Sequence, residues 1–462
     1  MRKIIFLSLI GFAAACGGAS KGATIGTGKA PPPPPSIGKT NDIAEPGKPA
    51  AAKVEVSADA KKDYQAAVEN FRNSDKGAWN ESACRSSADR FASVVRSHPD
   101  LIAAQFMVGL SYQRCNMNAE AESAYQQASR MKGDSTKAAM ALSNLGQLYY
   151  KTGKVDAARQ YWDSAIKANG KLIAARINLA SMNLEQMRKI NNPKDGQWKK
   201  LEEDARFNLS NALGVDTDSV EAYTVFGLIY MEGAQANKNR LDLAKTLLDE
   251  GNKRNPKYPP LLNAYGLYWM KKGSLNQALQ AFQGAVEGDP KFVEARINAG
   301  LLTLGFRKYD TAKEHFAGAV NLAPKNYEAQ IGLGIAMRGL NDLDGAEAAY
   351  KKAQSLHPQR CDAYYNLGVL YKDFRANKQN DPDQVAALRK SVAVYRQAKE
   401  FFQQFLSKGG SAADKAEAQE NIKDCDKVVK QLEQFATALA NQPKQPDPTP
   451  APAPAPAPAP KK

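Results

Sequence analysis

The sequence predicts an all-α solenoid built from repeated helix pairs, and three observations carry that expectation. One pattern recurs every 34 positions: Gly266, Gly300, Gly334 and Gly368, then Ala278, Ala312 and Ala346, Phe282, Phe316 and Tyr350, and Ala285, Ala319 and Ala353. Pro256, Pro290, Pro324 and Pro358 keep the same period. Within a unit the spacing is helical: Phe316 follows Ala312 by four residues and shares its helix face. Proline cannot continue a helix, so Pro324 marks the end of one helix and the start of the next unit. One such unit cannot bury its apolar face alone, and neighbours must stack on it. The 462 residues therefore read as one elongated stack rather than several globular domains.

Taken in order, the chain opens with Met1-Arg2-Lys3, an apolar run over residues 4–15 and then Cys16. A basic start, a short apolar core and small residues before the cut describe a secretory signal peptide. The Cys at the cut resembles the bacterial lipobox, with Ala13 standing where that motif usually has Leu. That resemblance implies a lipid-modified Cys16 as the mature N-terminus, and Gly17, in place of Asp, favours the outer membrane. Residues 16–57 are rich in Pro, Gly and Ala, including Pro31 to Pro35, and read as a disordered tether. The repeat body is expected over residues 58–440. From residue 441 the chain becomes an Ala-Pro tail, a semi-rigid extension.

Inside the body the repeat resembles the tetratricopeptide repeat (TPR), a 34-residue helix–turn–helix unit. The resemblance implies a right-handed solenoid of about eight helix pairs plus a capping helix. Units start at Ile102, Ala139, Ile173, Val220, Pro259, Val293, Tyr327 and Cys361, after a degenerate stretch over residues 57–99. Residues 412–439 read as the cap, after Gly409-Gly410 ends a helix. Three units carry extra residues, at 187–203, 232–240 and 373–383, between first and second helix. The first insertion is basic (Arg188, Lys189, Lys194, Lys199, Lys200) and holds Trp198, either an exposed contact point or packed on its own loop.

Four cysteines remain besides Cys16. Cys84, near the start of a second helix, and Cys115, at the end of the following first helix, fall at the same edge and can meet the separation of about 7 Å that a disulfide requires. Cys361 and Cys425 fall toward opposite ends of parallel helices and are a poorer pair.

The chain lacks a Gly-rich phosphate loop, a Gly-x-Ser-x-Gly elbow and a Cys-x-x-Cys. Its three histidines, His98, His315 and His357, have no Cys or carboxylate at metal-ligand spacing. Carboxylates such as Glu294 and Glu328 recur at equivalent positions, which marks them as scaffold. No enzyme, cofactor, metal or small-molecule substrate is expected. The formal charge of +15 can mean nucleic acid, anionic lipid or solvated helix faces, and without aromatic interleaving it reads foremost as solvated faces, with no nucleic acid expected.

The TPR resemblance places partner binding in a concave groove lined by the first helices. Fifth positions include Phe106, Ile177, Ile297, Ile331 and Tyr365, and ninth positions Leu110, Leu228, Leu267, Leu301, Ile335 and Val369. Carboxylate-clamp repeats carry Lys and Asn there, so an acidic C-terminus is not expected. Asn144, Asn178, Asn298 and Asn366 at the sixth positions resemble the asparagine ladder that holds a peptide backbone, interrupted at Val225, Ala264 and Gly332. The same asparagines equally suit cross-linking of adjacent helices. The expected occupant is an apolar segment of an envelope protein between residues 297 and 369. Lipobox, tether and long repeat body together resemble the lipoproteins of gliding-motility and pilus-assembly complexes, the gliding type foremost. Two alternatives are an adaptor of peptidoglycan or lipopolysaccharide enzymes and a pilus or secretin assembly lipoprotein.

Overall fold

The computed structural model describes residues 56–441 except 76, 78, 235, 236 and 380. Cys16, the signal, the tether and the Ala-Pro tail lie outside the described residues. Among those described, all regular structure is helical. Two compact units divide the chain, one ending at Ala295 and one beginning at Arg296.

In the first unit the pairs are α1 (Ala58–Asp75) with α2 (Glu81–Ser97), α3 (Ile102–Arg114) with α4 (Asn118–Arg130), and α5 (Ser135–Lys151) with α6 (Val155–Ala168). They continue with α7 (Ile173–Ile190) and α8 (Gly196–Val215), α9 (Val220–Glu232) and α10 (Arg240–Arg254), and α11 (Pro259–Lys272) and α12 (Leu275–Gly288). The division falls inside α13 (Val293–Gly305), which pairs with α14 (Tyr309–Leu322). Next come α15 (Tyr327–Gly339) with α16 (Leu343–Leu356), and α17 (Asp362–Val369) with α18 (Gln384–Lys408). The cap is α19 (Ala412–Ala440). The described residues hold nine pairs where about eight were expected, because the degenerate stretch folds as a full pair, α1 with α2.

The 34-residue pattern has a direct physical cause. The aromatic sixteen residues after each glycine lies flat on it: a Cβ on Gly109 would sit 2.6 Å from the Tyr125 ring, and one on Gly300 2.8 Å from Phe316. Gly146 with Trp162, Gly266 with Phe282 and Gly334 with Tyr350 repeat the contact. Real Cβ atoms do not approach that closely, so only glycine lets the second helix sink its ring against the first helix's backbone. Phe282, Phe316 and Tyr350 are fully buried, as are the alanines on either side of them.

The prolines act as expected. Helices α2, α10, α12, α14 and α16 end at His98, Asn255, Asp289, Ala323 and His357, each the residue before a proline. At the opposite edge, α7 ends on the left-handed Asn191, and five other first helices turn through a left-handed residue: Asn116, Gly153, Gly273, Arg307 and Asn341. The next backbone N–H in each reaches back to the last turn, as Lys154 to Tyr149, Ser274 to Trp269 and Lys308 to Thr303, each at 2.9 Å. Helix α18 stops at Gly409 and Gly410, with φ of 145° and 97°. Ser411 and Asp414 then form a capping box that starts α19.

Tyrosine hydroxyls tie successive pairs together. Tyr149 donates to Glu122 at 2.6 Å, Tyr265 to Asp249 at 2.6 Å and Tyr371 to Glu347 at 2.8 Å. Burial and the Glu347 carboxylate push the Tyr371 pKa up to about 12. The first pair is held differently. Cys84 and Cys115 form a disulfide with Cα atoms 6.3 Å apart, joining α2 to the end of α3. Cys425 is a free, buried thiol whose pKa burial raises to about 11.

The insertions depart from the expected loops. Residues 187–203 are mostly absorbed by lengthening α7 and α8, leaving a turn capped by Asp195, which accepts from Gln197 and Trp198 N–H. Trp198 is only 3% exposed and packs with Leu201, Ala205 and Met187, so it is core rather than an exposed contact point. Residues 370–375 continue α17 as a π-helical segment, the place where extra residues enter a helix without breaking it.

Candidate functional site

Repeat scaffolds bind through side chains held on rigid helices, so the site is built from the outward positions of the first helices. The fifth positions are not outward. Ile297 and Ile331 are 9% and 5% exposed, and Phe106 and Ile177 are equally buried. Ile331 packs with Tyr327, Tyr350, Ala363 and Leu367, so the next first helix lies over it. These residues close the joint between pairs instead of lining an open groove.

Tyr365 is half-buried for a related reason. Its ring lies edge-on to Phe402 and Phe405, with centroids 5.7 and 5.3 Å away, and its hydroxyl donates to Glu417 of α19 at 2.7 Å. Burial and Glu417 together raise its pKa. Lys372 donates to Asn421 at 2.6 Å and pairs with Asp424 at 3.0 Å. The cap thus takes the place of a further first helix and uses the outward groups of α17 and its π-helical continuation.

The asparagines do not form a free ladder. Asn144 donates to Tyr125 Oη at 2.9 Å, cross-linking α5 to the preceding pair. Asn366 is buried and donates to the Asp362 carbonyl one turn back at 2.9 Å. Val225, Ala264 and Gly332 stand at the equivalent places and are buried. Asn178 and Asn298 are half-buried. Asn144 thus cross-links adjacent helices, a role its position equally allowed, while Asn366 is spent within its own helix.

The ninth positions remain. Leu110, Leu228 and Leu267 in the first unit, and Leu301, Ile335 and Val369 in the second, are all half-buried. Ile335 rests on the cluster around Tyr350 and Leu367, and Val369 on the cluster around Phe402. Each keeps part of its apolar surface in water, recurring once per repeat on rigid helices. In the second unit this gives an apolar row of Leu301, Ile335 and Val369.

Arg338, three residues beyond Ile335, was not singled out by its sequence position. Its guanidinium stacks on Phe374 at 5.6 Å and forms no ion pair with a carboxylate among the described residues. Its Nη1 and the Tyr350 hydroxyl are buried without a hydrogen-bond partner. Burial raises the Tyr350 pKa to about 12 against the opposing charge of Arg338. The row is thus flanked by a cation that the scaffold does not neutralise.

Among the described residues no group of His, Cys, Asp and Glu is arranged to hold a metal. His98 and His357 cap helices, and His315 is half-buried, with a pKa lowered by burial and by Arg296. No helix of the described residues is long and apolar enough to cross a membrane.

Comparison with known proteins agrees with this architecture. Tetratricopeptide-repeat family models match residues 106–173 and residues 303–368. No curated protein matches by sequence. Among solved structures, a thermophilic TPR protein of Thermus thermophilus is 22% identical, covers 43% of this chain and 99% of its own, and gives a TM-score of 0.37. YrrB, described as a TPR protein with an unusual peptide-binding site, is 22% identical over 44% of this chain and 95% of its own, with a TM-score of 0.29. Pseudomonas aeruginosa PilF is 16% identical over 53% of this chain and 98% of its own, with a TM-score of 0.37. The described residues form an all-α solenoid of tetratricopeptide-repeat helix pairs, a protein–protein interaction scaffold.

Proposed function

We propose that this chain is a lipid-anchored periplasmic scaffold of a cell-envelope machine, a gliding-motility complex foremost, that docks an apolar segment of a partner protein on its first helices. The observation that carries the docking is the row Leu301, Ile335 and Val369, whose apolar surface is held half-open at equivalent positions of successive repeats. Apolar groups kept in water on a rigid scaffold cost stability unless a partner covers them. The lipobox-like Cys16 and the Pro-rich residues after it support attachment to the outer membrane with the body held away from it. Gliding is favoured by the resemblance of that organisation to lipoproteins of gliding-motility complexes.

The test is recovery of partners from solubilised envelope by wild type and by the double variant Leu301→Asp, Ile335→Asp. Loss of a partner recovered by wild type, with helix content and unfolding midpoint retained, supports the reading. Unchanged recovery overturns the docking site. After a high-salt wash that strips electrostatic contacts, Cys16→Ala should appear in the soluble periplasmic fraction, and retention on the membrane overturns the lipid anchor.

A further inference from the structure

Between α7 and α8 the sequence places Lys189, Lys194, Lys199 and Lys200 within twelve residues, and all four side chains are exposed. None forms an ion pair among the described residues. The carboxylates around them are engaged elsewhere. Glu185 accepts from Tyr150, Asp195 caps α8, Glu202 is buried against Arg240, and Glu232 pairs with Arg188 at 2.7 Å. Of the neighbouring acids only Glu203 is exposed without a described partner. Lys199 closes the first turn of α8 and Lys200 follows it, and that turn carries no acidic residue beyond its cap, Asp195. Cations there oppose the helix dipole, so helix stability does not account for their placement.

The patch extends along one edge of the first unit. Tyr150 with Glu185 joins the preceding turn to this one, and Arg240 with Glu202 joins it to the next. Those turns add exposed Lys151, Lys154 and Lys238. We propose that this edge is an electrostatic contact for an anionic lipid bilayer surface, independent of the partner site and of any acyl chain. Three features favour a bilayer. The charges are ammonium groups on flexible stems, suited to a diffuse anionic plane rather than to bidentate readout. They ring successive turns and do not line a groove. Trp198, the aromatic that a nucleic acid would stack on, is buried.

The test uses the full chain carrying Cys16→Ala, with vesicles of phosphatidylcholine alone or mixed with phosphatidylglycerol. Each lysine near an anionic surface is expected to strengthen partitioning about fivefold. The quadruple change Lys189→Gln, Lys194→Gln, Lys199→Gln, Lys200→Gln should therefore weaken anionic-vesicle binding by about 600-fold. High salt should abolish wild-type binding, and the corresponding Lys→Arg quadruple should keep it. Equal binding to neutral vesicles overturns the proposal. So does an equal loss on changing Lys427 and Lys430, exposed lysines of the cap, to Gln. Binding to anionic wall polymer without binding to anionic vesicles would also overturn it.

Discussion

The pairs α13–α14 and α15–α16 close by one device, and the pairs α7–α8 and α9–α10 by another. In the regular pairs a glycine on the first helix receives an aromatic from the second, and Phe316 serves twice, lying against Gly300 and also against Gly332 of the next first helix. In the lengthened pairs the ring is missing. Gly227 meets Leu248, and Ala180 stands where a glycine is expected. Polar groups take over: Asn183, fully buried, accepts from Arg159 at 2.8 Å and donates to the Leu201 carbonyl at 3.2 Å. Arg240 pairs with Glu202 while stacking on Tyr230 at 5.1 Å and Trp198 at 6.0 Å. Shape complementarity closes a pair of standard length. In α7–α8 and α9–α10 that fit is absent, and buried hydrogen bonds and an ion pair specify the geometry instead. The pair α17–α18, whose insertion enters as a π-helical segment, keeps the fit with Phe402 against Gly368.

The largest effect should come from the shared ring. Phe316→Ala removes a fully buried side chain that fills the gap at two glycines, so the cavity has little means of collapsing. A loss of about 3–5 kcal/mol is expected, read from the denaturant midpoint. A loss near 1 kcal/mol would show that the two devices are not as different as argued.

Next is the polar device. Arg240→Ala leaves Glu202, 9% exposed, as a buried carboxylate without its cation, and should cost about 3 kcal/mol. Arg240→Met combined with Glu202→Leu removes both charges and should recover most of that loss. If the double variant is as unstable as the single, the ion pair itself, and not the penalty of an unpaired charge, stabilises this region.

The first pair has a third device. Its core is small, with Ala67, Phe71, Ala88, Phe91 and Val94 as the buried apolar residues of α1 and α2 in the cluster. The Cys84–Cys115 disulfide closes a sequence separation of 31 residues. The double change Cys84→Ala, Cys115→Ala should cost about 2–3 kcal/mol, seen first as proteolysis within residues 58–97. Peptide mapping under non-reducing conditions should recover the two cysteines linked, and recovery of both as free thiols removes the device.

Periodicity made the regular pairs legible, because a repeated glycine and a repeated aromatic report a repeated contact. The lengthened pairs were legible only as interruptions. Nothing local in Trp198 or Arg240 announces a cluster assembled from residues about forty apart in sequence. The site was half legible for a similar reason. Helical position separates the faces of a first helix, and it placed Leu301, Ile335 and Val369 on the outward side. It does not say how far the next first helix overlaps that face, which is why Ile297 and Ile331 proved buried. Asn144 and Asn366 likewise look available until Tyr125 and the Asp362 carbonyl are found within reach.

The smallest effect tests whether the turns of regular pairs are as optimised as their cores. Gly273 and Arg307 occupy the same repeat position, with φ of 78° and 55°. Glycine enters that left-handed region freely, whereas a side chain crowds its own carbonyl there. Arg307 is exposed, and its side chain forms no described hydrogen bond that would compensate. Arg307→Gly relieves the crowding but raises the entropy of the unfolded chain, so a net gain of about 0.5 kcal/mol is expected. Gly273→Ala makes the opposite change where an added Cβ would meet no atom within 4 Å, which isolates the backbone effect. Its expected loss is about 1 kcal/mol. Opposite signs in the two unfolding midpoints would show that Arg307 is held against its backbone preference by the Schellman-type bonds from its own N–H to Leu304 and from Lys308 to Thr303. If Arg307→Gly instead lowers the midpoint, the arginine stem contributes packing that outweighs the strain, and the turn is as well fitted as the ring beneath it.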